Sequence, residues 1–287
     1  MLDLHFHSTN SDGKYSVSEL AELIKTKGLR YCALTDHDSV AGIKELRDGL
    51  AGSGAVVIPG VELTALYGDN EIHVVAYDFE VGVVEEILRE RNKIVKKQKI
   101  EEMKMAVELF KKEGIIVTDN LEPVEKKPVG YTLAVDICQN QSNQELFSRR
   151  HGKILTTDEL YFEYSAPDKS CFVKRSGVTL EWLLEKLKDK AADFIIAHPF
   201  LRVSVVMKPL SEIDISNILN LGVTGVEVYH NKTSEQQIKF LEKLVKVNDL
   251  HYTGGSDFHG RKDDAKLGFY GIDVEIPGFK LSNYELI

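Results

Sequence analysis

The sequence predicts an α/β protein built on a parallel sheet or barrel and interrupted by a mostly helical insert. Short apolar strand candidates alternate with amphipathic helices from Asp3 to Tyr77 and again from Thr179 to Ser256, the pattern of βα units. After Val83 the alternation stops, and residues 84–113 carry one long helical periodicity with a charged outer face. At 287 residues, 43% hydrophobic and 28% charged, the composition is globular. The length suits one large domain with an insert.

Each element has a local reason. Asp3–His7 is the first strand candidate. Ser16 and Glu19 form a capping box, because each can satisfy the other's free backbone amide. The helix that follows carries Leu20, Leu23 and Ile24 on one face and stops near Gly28. Tyr31–Thr35 reads as a strand, Val40–Leu50 as a helix, and Val56–Leu63 and Ile72–Tyr77 as strands. The insert is expected over 84–174, with a short strand at Ile115–Thr118, and the barrel domain over 1–83 and 175–287. Beyond it come a helix at Thr179–Lys190, a strand at Phe194–Ala197, a helix at Ser211–Leu221, a strand at Val223–Tyr229, a helix at Ser234–Val247 and a strand at Tyr252–Ser256.

Charge and cysteine content narrow the function. Lys plus Arg is 36 against 45 Asp plus Glu, a net charge of -9. So acidic a chain is a poor wrapper of nucleic acid, and stable DNA binding is not expected. Between Arg91 and Lys153 the balance reverses to 13 basic against 9 acidic residues, which suits a basic cover over an anionic substrate. Cys32, Cys138 and Cys171 are scattered, without a CxxC spacing. That argues against disulfides or a thiolate zinc site. No apolar run reaches the roughly 20 residues of a membrane helix, and no signal peptide is visible. A cytoplasmic location is expected.

Six of the nine histidines sit beside carboxylates: His5, His7, His37, His73, His198 and His259, with Asp12, Asp36, Asp38, Glu62, Glu227 and Asp257. His5 and His7 are spaced i, i+2 on a strand and share one face. Most of the others fall at or just past the C-terminal ends of strand candidates. In a parallel barrel those ends meet at one rim, where active sites are built. So many buried imidazoles and carboxylates need partners, and metal ions supply them. A mixed nitrogen and oxygen set suits Zn, Mn or Fe. The number of ligands implies two or three ions, bridged by a carboxylate such as Glu62. Such clusters hydrolyse phosphate esters by generating hydroxide at neutral pH and stabilising the attacking and leaving oxygens.

Eight stretches carry a family resemblance: Asp3-Leu4-His5-Phe6-His7-Ser8, Ser11-Asp12-Gly13, Leu34-Thr35-Asp36-His37-Asp38, Pro59-Gly60-Val61-Glu62, Glu71-Ile72-His73, Ala197-His198-Pro199, Gly225-Val226-Glu227-Val228 and Gly255-Ser256-Asp257-Phe258-His259. In this order they resemble the PHP (polymerase and histidinol phosphatase) family. The similarity is greatest to the stand-alone bacterial branch that acts on 3',5'-nucleotide bisphosphates and on 5' ends of short RNA. The resemblance implies a distorted (β/α)7 barrel with an inserted helical region covering the active site, and a trinuclear centre. By position, it puts His5, His7, Glu62 and Asp257 on a first ion. Glu62, His73 and His198 hold a second, and Asp12, His37 and His259 a third. Asp257 and His259 would stand at the reacting centre. Asp36, Asp38 and Glu227 would orient ligands.

The substrate side matches less fully. Arg202 follows His198 by four residues, where the family has a phosphate-contacting Arg often at three. The branch's Gly-His-Phe-Ala-Arg stretch is replaced by Gly130-Tyr131-Thr132-Leu133-Ala134, and its Arg-Gly-Lys stretch by Ala166-Pro167-Asp168-Lys169. Lys174 and Arg175 are the expected substitutes, with Tyr131 next. The expected activity is hydrolysis of a small phosphomonoester, with a 3',5'-nucleotide bisphosphate or RNA 5' end first. The alternatives are a histidinol-phosphate or sugar-phosphate phosphatase, and an inactive binding module of the same fold.

Overall fold

A computed structural model describes residues 1–124, 127–202 and 207–286; residues 125–126, within the expected insert, lie outside it. In chain order come β1 (Leu2–Phe6), α1 (Val17–Lys27), β2 (Tyr31–Leu34), α2 (Ile43–Gly49), β3 (Val56–Val57), β4 (Gly60–Tyr67) and β5 (Asn70–Phe79). Then come α3 (Val81–Lys112), α4 (Val129–Gln139), α5 (Gln141–His151), α6 (Thr157–Leu160) and a π-helical turn (Tyr161–Ser165). The chain continues through α7 (Leu180–Leu187), β6 (Ala191–Ile196), α8 (Glu212–Asn220), β7 (Gly225–His230), α9 (Glu235–Asn248), β8 (His251–Gly255), β9 (Phe279–Lys280) and β10 (Glu285–Leu286). No described helix is long and apolar enough to cross a membrane.

The described residues divide into two compact units. One comprises 1–90, 179–202 and 207–286, and the other Arg91–Val178. The first holds all ten strands. The second is helical and has its own core around Phe110, Leu133, Ile137, Phe147 and Leu160. The expected strand at Ile115–Thr118 is absent. Side chains satisfy that backbone instead: Asn143 Oδ1 accepts from Ile116 N–H at 2.8 Å, Asn143 Nδ2 donates to Ile116 O at 2.7 Å, and Asp136 accepts from Thr118 N–H at 2.9 Å.

In the first unit α1 forms as its capping box requires. Glu19 accepts from Ser16 N–H at 2.7 Å, Ser16 Oγ accepts from Glu19 N–H at 3.3 Å, and Gly28 closes the helix with φ 66°. Its Leu20 and Ile24 bury against Phe6, Cys32 and Leu34.

The strands form an α/β fold of two sheets and not one closed ladder. The order is β1-β2-β3 in one sheet and β10-β9-β8-β7-β6-β5-β4 in the other. β1, β2 and β3 run parallel, as do β6, β7 and β8. The expected all-parallel arrangement fails at β5, which is antiparallel to both β4 and β6. The cause is local. Only Gly68 and Asp69 connect β4 to β5, and so short a loop forces a hairpin. The expected strand over Val56–Leu63 is also broken. Pro59 cannot donate to a ladder, so β3 ends before it and pairs with β2, while β4 starts after it in the other sheet. The two sheets meet at single bridges, Phe6 with Phe258 and His37 with Glu62.

Buried Asp3 reinforces the first of these junctions. It accepts from Ser256 N–H at 3.0 Å, Ser256 Oγ at 2.6 Å and Gly268 N–H at 2.8 Å. Leu2 and Leu4 pack with Val75, Tyr77, Ile195 and Phe279. His5 and His7 lie on the other side of the alternation and face one rim.

Candidate metal centre

The rim gathers all nine sequence-nominated ligands. His5 lies near the end of β1 and His7 directly follows it, with ring centroids 5.3 Å apart. His37 follows β2, His198 follows β6, and Asp257 and His259 follow β8. His73 lies inside β5 and not at a C-terminal end. Because β5 runs antiparallel, its early residues reach the rim where β6 leaves it, and His73 O accepts from Ala197 N–H at 3.0 Å. Glu62 is near the start of β4 and not at a strand end, as Pro59 resets where that strand begins.

Glu62 is the hub. Its carboxylate is fully buried, with Oε1 2.8 Å from His73 Nδ1 and 2.9 Å from His198 Nε2. Oε2 lies 3.3 Å from His5 Nε2, 3.3 Å from His7 Nε2 and 3.1 Å from His37 Nδ1. Asp257 Oδ1 stands 3.2 Å from His7 Nε2 and 3.6 Å from His259 Nδ1. Asp12 Oδ1 stands 3.2 Å from His259 Nε2 and 3.8 Å from His37 Nε2. Burial falls off across the cluster: the His5, His7 and Glu62 side chains are closed off, whereas His37 is 28% and Asp12 42% exposed. The site opens on the Asp12 side.

Four donor sets could each hold an ion: His7, Asp12, His37 and His259; His5, Glu62 and His198; His5, His7 and Asp257; and His37, Glu62 and His73. These four overlapping sets do not reproduce one for one the three groups implied by the family resemblance. His198 sits with His5, and His73 with His37. The fit to cations is chemical as well as geometric. His5 Nε2, His7 Nδ1, Glu62 Oε2 and His198 Nδ1 are buried without a hydrogen-bond partner, a costly state for polar atoms. His5 Nε2 and Glu62 Oε2 point into the cluster, where a cation would satisfy both.

The surrounding groups set tautomers and strain. Glu227 Oε1 takes the His5 Nδ1 hydrogen at 2.9 Å, so Nε2 is the atom free to bind an ion. Glu227 Oε2 accepts from His198 N–H at 2.8 Å. His259 Nδ1 donates to Asp257 O at 2.8 Å, which aims its Nε2 at Asp12. Asp36 touches no imidazole. It accepts from Ser8 N–H at 2.8 Å and Ser8 Oγ at 2.6 Å, and from Ser11 Oγ, tying down the loop that carries Asp12. Asp38 accepts from Thr64 N–H at 3.1 Å and donates its own N–H to Glu62 O at 2.8 Å. Asp38, His198 and Asp257 have φ of 50°, 26° and 51°. Such strained backbone persists where packing over-determines it, and it clusters at active sites.

The electrostatics are those of a crowded ion-free cluster. Burial opposes the Glu62 charge, yet His37, His73 and His5 hold its carboxyl well below the usual range. Burial likewise opposes charge on His5, but Glu227 and Glu62 outweigh it and hold the imidazole well above its ordinary value. Burial pushes His7 down to about 4, with His37 and His259 adding to it and Asp257 opposing. Ions bind the unprotonated forms and compete with these protons.

Two residues escaped the sequence reading. His230, the last residue of β7, places Nε2 3.4 Å from Asp257 Oδ2; its position at a strand end was the available signal. Arg261 donates to Asp12 Oδ2 at 2.6 Å on the exposed side, a pairing that no local pattern announces. Of the nominated substrate residues, Arg202 is exposed at the end of the described part of its loop, and Lys174 and Arg175 lie in the second unit.

Residues 3–116 match the PHP domain family. This stretch contains His5, His7, Asp12, His37, Glu62 and His73 at the geometry above. Over 260 residues the chain is 29% identical to a 5'-3' exoribonuclease of Haemophilus influenzae, covering 90% of this chain and 89% of that one. It is 24% identical over 266 residues to a 3',5'-nucleoside bisphosphate phosphatase of Chromobacterium violaceum, covering 90% and 87%. A Bifidobacterium adolescentis structure described as a metal-dependent phosphoesterase superposes with a TM-score of 0.64 at 20% identity, covering 95% of this chain and 92% of that one, which shows the shared fold. The family match over residues 3–116 together with these relatives makes the chain a metal-dependent phosphoesterase, a hydrolase.

Proposed function

We propose that the chain hydrolyses a small phosphomonoester at two or three divalent ions of the Mn, Zn or Fe type, with 3',5'-nucleoside bisphosphates or RNA 5' ends as preferred substrates. The observation that carries the metal reading is Glu62, a buried carboxylate shared by five imidazoles. The substrate preference rests on the relatives named above. When bound, the ions supply a nucleophile at neutral pH and neutralise charge on the phosphoryl oxygens. His5, His7, Asp12, His37, Glu62, His73, His198, Asp257 and His259 would hold them. Glu227 keeps His5 in the tautomer that exposes Nε2, and Asp36 and Asp38 fix the loops bearing Asp12 and His37. Asp257 and His259 border the reacting phosphate. The seven strands β1, β2, β4, β5, β6, β7 and β8, bridged at Phe6–Phe258 and His37–Glu62, support a distorted (β/α)7 barrel. Three unpaired cysteines, two of them buried, suit the cytoplasm.

A phosphate-release screen tests this. The protein is stripped with chelator, reloaded separately with Mn, Zn or Fe, and offered 3',5'-nucleoside bisphosphates, 5'-phosphorylated oligoribonucleotides, histidinol phosphate and sugar phosphates. Release is expected only after reloading, and fastest from the first two classes. Preference for histidinol or sugar phosphates would move the substrate. Ion binding with no release from any class would favour a binding module.

The anion side has its own expected outcome. Arg202→Ala should lower kcat/KM about 10-fold to 100-fold with ion content unchanged, the loss of one charge-assisted contact. Lys174→Ala and Arg175→Ala should matter only on substrates with a second phosphate. Unchanged kinetics in all three would shift recognition elsewhere in the insert, with Tyr131 tested next.

A further inference from the structure

We propose that His230 is the positioning residue for Asp257: its Nε2–H engages one carboxylate oxygen so that the other is held toward the ions. The proposal rests on the metal-centre reading above. His230 is 1% exposed, and its Nδ1 accepts from Lys232 N–H at 3.2 Å. An Nδ1 that accepts leaves the ring hydrogen on Nε2. That nitrogen lies 3.4 Å from Asp257 Oδ2, so the tautomer is set by the backbone and the donor points at the carboxylate. The ring packs edge-on against His198 with centroids 5.5 Å apart, which limits its rotation.

The two oxygens of Asp257 are thereby given different tasks. Oδ1 faces His7 Nε2 at 3.2 Å, His5 Nε2 at 3.7 Å and His259 Nδ1 at 3.6 Å. Oδ2 faces His230. The Asp257 backbone is pinned separately by its N–H donating to His5 O at 2.8 Å, but that bond does not choose which oxygen turns inward. Without a donor at Oδ2, the carboxylate can rotate and offer both oxygens to one ion. With it, a single oxygen is presented. Partners of this kind tune both affinity and geometry at a metal site.

The test compares three variants. Gln carries an amide nitrogen as many bonds from Cβ as the His Nε2, so His230→Gln keeps the donor. His230→Phe keeps the ring and loses the donor, and His230→Asn keeps polarity but cannot reach Asp257. Mn and Zn dissociation constants are measured by competition with a chromophoric chelator, alongside melting of the ion-free protein and the kcat and KM of phosphate release. The Phe and Asn variants should bind ions about 10-fold to 100-fold more weakly, with ion-free melting near that of the parent. Gln should restore most of the loss, and KM for substrate should stay constant at saturating ion. Folded Phe or Asn variants that bind ions as tightly as the parent would overturn the proposal, as would a Gln variant no better than Asn. If Phe does not fold, the Asn and Gln pair decides. A parent protein that binds neither ion would overturn the metal reading itself, and this proposal with it.

Discussion

Glu62→Gln is expected to strip the protein of its ions and cut phosphate release by well over about 100-fold, beyond the loss typical of disturbing only a ligand's outer partners. The substitution barely changes volume. It removes the one negative charge that faces five imidazoles and puts an amide donor where lone pairs are needed. Whichever oxygen becomes the amide nitrogen, one group of imidazoles meets a donor: at Oε1 it removes the common acceptor of His73 and His198 at 2.8 and 2.9 Å, and at Oε2 it faces His5, His7 and His37. His5, His7 and His37 lose the charge that offsets their mutual repulsion in a buried site. Elemental analysis of protein purified without chelator, read beside a phosphate-release assay and a melting curve, checks this. Normal ion content with normal turnover would remove Glu62 from the centre of the site.

Gly255→Ala should be a severely damaging change outside the proposed ligand set. A Cβ there would lie 2.1 Å from His5 Cβ, 2.7 Å from His5 N and 2.8 Å from His5 Cα. These are backbone and root atoms, so nothing flexible can yield. β1 and β8 would have to separate, moving His5 on one strand and Asp257 just past the other. Overpacking costs about 1–3 kcal/mol where side chains can adjust, and here they cannot. A large fall in melting temperature with loss of ion binding is the expected result. Gly82→Ala is the control. A Cβ at Gly82 meets nothing within 4 Å, and Ala in this first turn of α3 should stabilise by at most about 0.4–1 kcal/mol, by restricting the unfolded chain. Equal melting of the two variants would show that the β1–β8 approach is not tight.

Nearness along the chain decides which features could be read from sequence. The capping box at Ser16 and Glu19, the stop at Gly28 and the helix over Val81–Lys112 rest on contacts within a few residues. Local chemistry suffices for them. The position of most of the clustered imidazoles and carboxylates was legible for a related reason: a residue just past an apolar run lies at a strand end wherever the strand goes. The three-residue segment from Asp36 to Asp38 shows the limit. Adjacent in sequence, its members serve different partners: Asp36 the serine loop, His37 the ligand cluster, and Asp38 the β4 backbone.

By itself the sequence determined the α/β class, the helical character of the insert and the nine side chains that converge, because helix caps, strand alternation and residue chemistry are carried by neighbouring residues. Only the tertiary structure decided strand direction and grouping. β5 reverses because its turn is too short for a crossover, and this brings a mid-strand His73 to the rim. The backbone at Ile116 and Thr118 takes side-chain acceptors in place of a ladder. His198 shares Glu62 Oε1 with His73 while its ring also stacks on His5, and His230 and Arg261 enter the site, through contacts between residues far apart in the chain. Those contacts depend on how strands stack and on which buried polar atom finds which partner, and no short stretch of sequence specifies either.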